Sequence, residues 1–339
     1  MCEVRLQIRA KWYAMANSSE KLHHAEEVKQ AVDGGAAARS PVVASWTRSS
    51  TLHSLSPDKD VSPDRIDDFA LRRERDELGR LLEAAGPSLD QIFELVGHTG
   101  CSVVMANRDG VILDRRGGVA DDTQFERWGL WTGTVWSERS QGTNAIGTSL
   151  VEGRPVVIHR NQHFLTRNTV LSCMTAPIHD ECGVLAAVID VSSCRPEMSE
   201  EFARVICSLT VDAAHRIETQ NFNLAFAGQR IVILPEQAKR GPALLAIDRH
   251  DMVIGATHLA RRALGLPDHE RKLNVPAPEL FGQDSAKEDT FDGAERGVLL
   301  RALERNGRNI SQTAKALSLS RATLYRKLAQ HGLLPEAGT

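Results

Sequence analysis

Residues 142–149 read GTNAIGTS, and how this stretch is read decides what kind of fold the chain has. A phosphate-cradling loop runs G-x-x-x-x-G-K-[ST], and Gly142, Gly147 and Ser149 stand at its separations. Thr148 occupies the lysine position. That lysine carries a fixed positive charge to the β- and γ-phosphates, which threonine cannot supply. The residues just ahead, Trp136-Ser137-Glu138-Arg139-Ser140-Gln141, are polar, whereas a phosphate loop follows a buried apolar strand. The nucleotide-binding reading is set aside, and the role of the stretch has to come from its surroundings.

Those surroundings read as α+β. Residues 90–96 have a helical pattern, 101–106 form a strand, Asn107-Arg108-Asp109-Gly110 is a hairpin turn, and 111–114 are the returning strand. Residues 155–158 make another strand. Residues 174–178 and 184–191 flank a turn at 179–183, and the long apolar run of the second suits the middle of a sheet. Residues 199–218 form a helix with Phe202, Val205, Ile206, Leu209, Ala213 and Ile217 at helical spacing. Helices around an antiparallel sheet suggest a small-molecule sensing domain of the GAF or PAS type.

The C-terminal end is different in kind. From 293 to 334 there are eight basic residues (Arg296, Arg301, Arg305, Arg308, Lys315, Arg321, Arg326, Lys327) and two acidic ones, Glu295 and Glu304, in a chain of net charge −3. A basic end on an acidic body points to a nucleic-acid-binding module. In GRNISQTAKALSLSRATLYRKLAQHGL, residues 307–333, Asn309 is an N-cap with Gln312 in capping-box position. Ser318-Leu319 breaks the chain, Ser320 caps a second helix with Leu324 and Leu328 on one face, and Gly332 closes it. A helix over about 293–304 precedes them, with Val298, Leu299 and Leu303 inward. Two helices joined by a tight turn form a helix-turn-helix, whose second helix enters the major groove by its N-terminal end. The candidate DNA-binding residues are Arg308, Asn309, Ser320, Arg321, Ala322, Thr323, Tyr325, Arg326 and Lys327. Arginine pairs bidentately with guanine, and Ala322 and Thr323 can touch a thymine methyl. Lys327, Arg308 and the Asn309 helix start are placed for phosphates.

Two resemblances follow from these residues. Asn309, Ala314, Leu317, Ser320, Arg321, Thr323 to Leu328, Gly332 and Leu333 resemble the Fis-type helix-turn-helix of bacterial enhancer-binding activators, GN-x3-AA-x2-LG-[IV]-S-R-x-TLYRKL-x3-GL. Ser318 stands where glycine is common, a position that serine strains if it needs φ > 0. WSERSQGTNAIGTSLVEGRPVVI (136–158), NQHF (161–164) and SCMTAPIHDECGVLAAVIDVSS (172–193) resemble the GAF domain of acetoin-regulator-type activators, with WSE-x3-GTNAIGT, [EQ]HF, C-x-x-API-x-D-x-x-G and LD-[LIV]-S. Ser45-Trp46-x-Arg48-Ser49 resembles that family's SW-x-RS motif. GTNAIGTS then becomes a GAF loop whose glycines wrap a ligand or pack tightly at a helix start. The candidate ligand-binding residues are Trp136, Glu138, Thr143, Asn144, His163, Phe164 and Cys173. The effector that the resemblance implies is acetoin or another small alcohol, aldehyde or ketone. Relatives place an ATPase between sensor and DNA reader to remodel the sigma-54 polymerase. Here no G-x-x-x-x-G-K-[ST] or GAFTGA loop occurs, and the region after Asn221 is too short to hold that domain.

The expected organisation is a flexible segment at 1–38, a helical lead-in at 39–88, a GAF sensor at 89–222, a PAS-like or connector region at 223–281, a linker at 282–292 and the Fis-type module at 293–335. Six cysteines (Cys2, Cys101, Cys173, Cys182, Cys194, Cys207) form no C-x-x-C pair and no zinc-ligand spacing, so no metal and no cofactor are expected. With no signal sequence and no long uncharged apolar run, a cytoplasmic location without a membrane is expected. The favoured function is a transcriptional regulator without its own motor, a homodimer on double-stranded DNA that takes a small-molecule effector. RNA polymerase or a separate activator is a further partner. The alternatives are a GAF-type thiol enzyme, with Cys173 and Cys182 brought together around one hairpin, and a non-specific architectural DNA-binding protein.

Overall fold

Two hairpins and the helices that cover them build the N-terminal part of the chain. A computed structural model describes residues 23–38, 40–60, 62–234, 241–267, 273, 275–280 and 290–334. The chain divides into two units, residues 1–249 with 253–273 and residues 250–252 with 274–339.

In the first unit, helix α1 (23–33) is followed by α2 (Pro41–Thr47), which continues as one π-helical turn over Arg48–Leu52. Helices α3 (Asp68–Glu77) and α4 (Gly79–Val96) lead into strands β1 (Cys101–Asn107) and β2 (Ile112–Arg116). Next come α5 (Val119–Trp128), α6 (Glu138–Gln141) and α7 (Ala145–Glu152). Strands β3 (Val156–His159), β4 (Ser172–His179) and β5 (Leu185–Ser193) precede the long helix α8 (Glu200–Ala225). The five strands form one antiparallel sheet in the order β2-β1-β5-β4-β3, so the apolar strand β5 sits at its centre as expected. Both faces of β5 are covered because its side chains alternate between them. Ala187, Ile189 and Val191 join Val103, Met105, Met174 and Ala176 under α4 and α8, while Val188 joins Val104, Ala106, Cys173, Phe125 and Trp136 on the other side.

Several sequence expectations move. The 88/89 boundary falls inside α4, which packs Leu81, Ala85, Leu89 and Ile92 onto the sheet. The expected flexible segment at 1–38 instead contains α1, with Ala25 and Val28 buried; residues 1–22 lie outside the described set. His24 holds that helix, its Nδ1 2.9 Å from Thr166 Oγ1 and its Nε2 3.0 Å from the Asn161 carbonyl. On α8 the buried stripe is Ala203, Ile206, Thr210, Ala213, Ala214 and Ile217, whereas Phe202 and Val205 are exposed. Small residues take the inner positions there because two long helices, α4 and α8, lie side by side over one sheet face.

Strands β6 (Arg230–Ile233), β7 (Leu244–Ile247) and β8 (Met252–Ala256) pair antiparallel, followed by α9 (His258–Leu264). Phe222 and Phe226 of α8 pack on this small sheet. In the second unit are β9 (Val275–Pro276), α10 (Ala277–Leu280), α11 (Phe291–Arg305), α12 (Ile310–Ala316) and α13 (Arg321–Gln330). The expected linker at 282–292 lies outside the described residues as far as 289, and its last two residues already belong to α11.

Candidate effector site and DNA-reading surface

Both glycines of GTNAIGTS are required by close packing. At Gly147 an added Cβ would lie 2.3 Å from Glu138 N and 2.9 Å from Trp136 O, so helix α7 meets the 136–138 backbone directly. Gly142 has φ +62°, and a Cβ there would sit 2.6 Å from Phe164 Cδ1. The amide of Gly147, which a phosphate loop would offer to its ligand, is taken by the Asn144 side chain at 2.9 Å. Asn144 also donates to Gly142 O at 2.8 Å. Asn144 is thus a helix cap, and the whole first turn of α7 is buried.

Glu138 is buried and its carboxylate is clamped. Arg48 Nε donates to Oε2 at 2.9 Å and Nη2 to Oε1 at 2.9 Å, Thr148 Oγ1 donates at 3.2 Å, and the Ser45 hydroxyl donates to Oε1. Ser45 Oγ also lies 2.7 Å from Thr143 Oγ1, and Trp46 Nε1 donates to Gln162 O at 2.9 Å. Burial pushes the Glu138 pKa up, but hydrogen bonds from Arg48 and Ser45 and the Arg48 charge outweigh it, leaving a net lowering. Glu138 and Thr143, expected in a ligand site, are therefore the receptors of the α2 segment. Trp136 fills the core and donates from Nε1 to Gly129 O at 2.7 Å, while Phe164 packs with Val28 and Leu165. The structure accounts for these four side chains, and for Asn144, by packing and internal bonding.

His163 and Cys173 are brought together. His163 is fully buried; its Nδ1 is 2.9 Å from Arg160 O and its Nε2 3.6 Å from Cys173 Sγ. Burial lowers the His163 pKa to about 4 and raises the Cys173 thiol well above its usual value. A neutral thiol beside a neutral imidazole is the reverse of the thiolate–imidazolium pair that a nucleophile needs. Cys182 lies in the turn beyond the far end of β4, about 20 Å of strand away from Cys173. The hairpin does not bring these two thiols together, because Cys173 is paired across from Ser192 at its open end.

Beyond Cys173 lies a polar group that the sequence expectation missed. Ser192 Oγ is 3.1 Å from Cys173 Sγ and donates to Asp190 Oδ2, while Thr175 donates to Asp190 Oδ1. Asp190 is 1% exposed, and burial raises its pKa to about 6. Two amide side chains, Gln141 at the end of α6 and Asn168 in the segment before β4, are also buried; among the described residues Gln141 Oε1 and both polar atoms of Asn168 have no hydrogen-bond partner. The signal for Asp190 was available: it is the one charged residue in the run VLAAVIDVSS. The amides carried no such signal.

The second unit presents a three-helix module. Leu299, Leu303, Ala314, Leu324 and Leu328 form its core, with Ile310, Leu317, Leu319 and Leu333 against it. Val298, expected inward, is 46% exposed. Asn309 accepts from the amides of Ser311 and Gln312, and Ser320 from that of Thr323. Ser318 adopts φ +53°, the left-handed turn that glycine commonly fills. On α13 Arg321, Ala322, Tyr325 and Arg326 are exposed. Thr323 is half-buried, its hydroxyl 2.8 Å from Ser320 Oγ, so the cap engages it. Arg308 and Asn309 are exposed before α12. Lys327, expected on a phosphate, points instead at α11 and pairs with Glu295. The reason is helical phase: Lys327 lies next to the buried Leu328, toward α11.

The N-terminal region matches the MimR N-terminal domain family over residues 25–218, and residues 291–331 match the bacterial regulatory protein Fis family. The acetoin catabolism regulatory protein of Cupriavidus necator is 29% identical over 245 residues, covering 70% of this chain and 36% of that protein. The propane 2-monooxygenase operon transcriptional activator MimR of Mycolicibacterium smegmatis is 34% identical over 247 residues, covering 71% and 40%. The chain thus aligns with well under half of each of these relatives. A solved E. coli DhaR(N)–DhaL complex superposes with a TM-score of 0.48 at 17% identity, covering 69% of this chain and 80% of that one. Between the two matched segments, residues 219–290 are too few for an ATPase domain of the kind carried by enhancer-binding activators. No helix among the described residues is long and apolar enough to cross a membrane. With more than half of its length in the first match, the chain belongs to the MimR N-terminal domain family and carries a Fis-type helix-turn-helix behind it.

Proposed function

We propose that the chain is a sequence-specific DNA-binding transcriptional regulator of a catabolic operon. Its N-terminal unit senses a small molecule and its second unit reads DNA, without a motor between them. The observation that carries the DNA-reading part is the exposed face of α13: Arg321, Ala322, Tyr325 and Arg326 stand out from a helix held by Leu324 and Leu328. Two arginines five positions apart on a helix with a capped start suit base edges in a major groove. Arg308 and Asn309, before α12, suit phosphates. The names of the relatives, regulators of acetoin and propane catabolism, support a catabolic target and an effector that is a small alcohol, aldehyde or ketone. A homodimer reading an inverted repeat is the simplest assembly for such a module. RNA polymerase or a separate activator then takes the place of the missing motor.

Selection of genomic fragments by the purified protein at fixed salt tests this. The expected result is a sharp inverted repeat upstream of a catabolic operon. Diffuse recovery that fades steadily with salt would sink it in favour of phosphate-driven architectural binding.

A further inference from the structure

We infer that the stacked rings of His179 and His258 form a proton-sensitive latch. Helix α9 stays against the turn between β4 and β5 while His258 is neutral, and it lets go when His258 takes up a proton. The latch needs neither an effector nor DNA.

The latch joins two parts of the first unit. His179 ends β4, and His258 is the first residue of α9, just after the small sheet. The two rings lie 4.1 Å apart between centroids and 9° from parallel. Beside them the contact is backbone against backbone. Gly183 has φ +77° in the turn, and an added Cβ there would lie 3.0 Å from His258 N and 3.1 Å from its Cα. The His258 ring also bonds the Gly183 backbone.

The two rings are not equivalent. His179 Nδ1 lies 2.8 Å from Glu218 Oε1, which also accepts the His179 backbone amide at 2.8 Å. A positive charge on His179 is therefore paired within β4 and α8, whether or not α9 is docked. A positive charge on His258 would stack on that ring, beside Arg261 and Arg262 of its own helix. Arg261 spends Nε on Ala256 O and Nη1 on Pro267 O, and its Cδ lies against Gly183. On α8, His215 lies beside Gly241 and Leu259, one turn before Glu218. The acids of the turn are engaged: Asp180 Oδ1 accepts from the amides of Cys182 and Val184, and Glu181 takes Arg80 and the Asn221 amide. The first position of a helix also disfavours a cation. Burial, and then the neighbouring His179, hold the His258 pKa below its usual 6.5; the Gly183 bond and the Glu218 charge oppose this without prevailing. Released, His258 titrates as an ordinary histidine, near ~6.5. Docking is therefore at full strength above that pH and weakens as pH falls below it toward the docked value.

Hydrogen exchange of the full chain, without DNA or added ligand, near pH ~7.5 and pH ~5.5 tests this. Protection factors, which divide out the intrinsic pH dependence of exchange, are read over α9 and over β1 and β5. In the parent, protection over residues 258–264 is expected to fall several-fold on acidification, about tenfold at most for one proton, while β1 and β5 keep theirs. His258→Phe keeps a flat stacking ring and takes up no proton, so its protection is expected to be the same at both pH values. His258→Gln, neutral and without the ring, is expected to be equally indifferent to pH and decides the matter if His258→Phe does not fold. Gly183→Ala presses a methyl group onto the His258 backbone, and it is expected to give at neutral pH the α9 exchange that acid gives the parent. Parent protection that ignores pH, His258 variants that lose protection in acid as the parent does, a loss shared equally by β1 and β5, or a Gly183→Ala chain as protected as the parent would each overturn the latch.

Discussion

Replacing Arg48 with methionine should release the α2 segment from the sensor while the sheet remains folded. Glu138 is almost wholly buried, with 1% of its side chain exposed, and Arg48 supplies two of its bonds, both at 2.9 Å. Without the guanidinium the carboxylate keeps only the hydroxyls of Ser45 and Thr148. Breaking a fully buried pair from one side costs about 3–5 kcal/mol. Arg48 is 29% exposed, so water screens part of the interaction, and about 2–3 kcal/mol is the reasoned loss. Hydrogen exchange of the backbone amides over residues 44–52 reads this local opening directly.

The pH dependence gives a second handle. In the parent the folded Glu138 pKa is lowered, so the clamp's contribution is present above the ordinary carboxylate pKa and is lost as pH falls through the folded value. In Arg48→Met the opposing effect of burial is left unbalanced and the folded pKa rises. The deficit should then be largest at neutral pH and shrink as Glu138 takes up a proton. Adding Glu138→Gln to Arg48→Met should recover part of the loss. A loss below about 0.5 kcal/mol, or one that does not change with pH, would refute the buried-clamp reasoning and make this an ordinary surface pair.

Three further outcomes are expected. Burial holds the Asp190 pKa at about 6, above its unfolded value, which stabilises the fold at low pH and is lost as pH rises through 6. Asp190→Asn should therefore make the ligand-free sensor more stable at neutral pH, by up to about 3 kcal/mol, with no advantage near pH ~4 in urea unfolding; a less stable variant at neutral pH would contradict this. Leu328→Ala, in a core of five buried residues, should cost about 2–5 kcal/mol and melt the three-helix module, seen as lost helical signal and lost DNA binding with the sensor intact. Arg326→Ala should weaken operator binding by about 1–3 kcal/mol without altering the thermal melt, whereas Lys327→Ala should lower the melt through Glu295; the opposite pattern in a binding titration would reverse the two assignments.

The sequence made the elements legible where a local rule acts alone. The Asn309 and Ser320 caps, the Ser318 turn and the apolar run of β5 each follow from a few adjacent residues, and each is found. It misled where a side chain's direction depends on a distant partner. Phe202, Val205 and Val298 have core chemistry but the wrong phase once α4 and α11 fix which stripe is covered. Lys327 has the chemistry of a phosphate contact, but Glu295, thirty-two positions upstream, claims it. Asn144 and Trp136 carry polar atoms that look available in a list of residues and are spent on Gly147 N, Gly142 O and Gly129 O in the fold.

The same logic joins the conspicuous words of the sensor. SW-x-RS, WSE and GTNAIGT read as three separate motifs, yet their polar residues converge on one point. Ser45 and Arg48 come from the first, Glu138 from the second, and Thr143 and Thr148 from the third. A cluster in which every member bonds another member is poorly suited to hold a ligand and well suited to hold a segment in place. The glycines agree, since Gly147 brings α7 against the backbone of 136–138, where the clamp is anchored. Gly147→Ala should push those two backbones apart, so it should loosen α2 and Glu138 together, although the added methyl group meets only the 136–138 backbone and not α2. If hydrogen exchange over residues 44–52 stays at the parent level in Gly147→Ala while the variant remains folded, the loop and the clamp are independent, and GTNAIGTS must have another use.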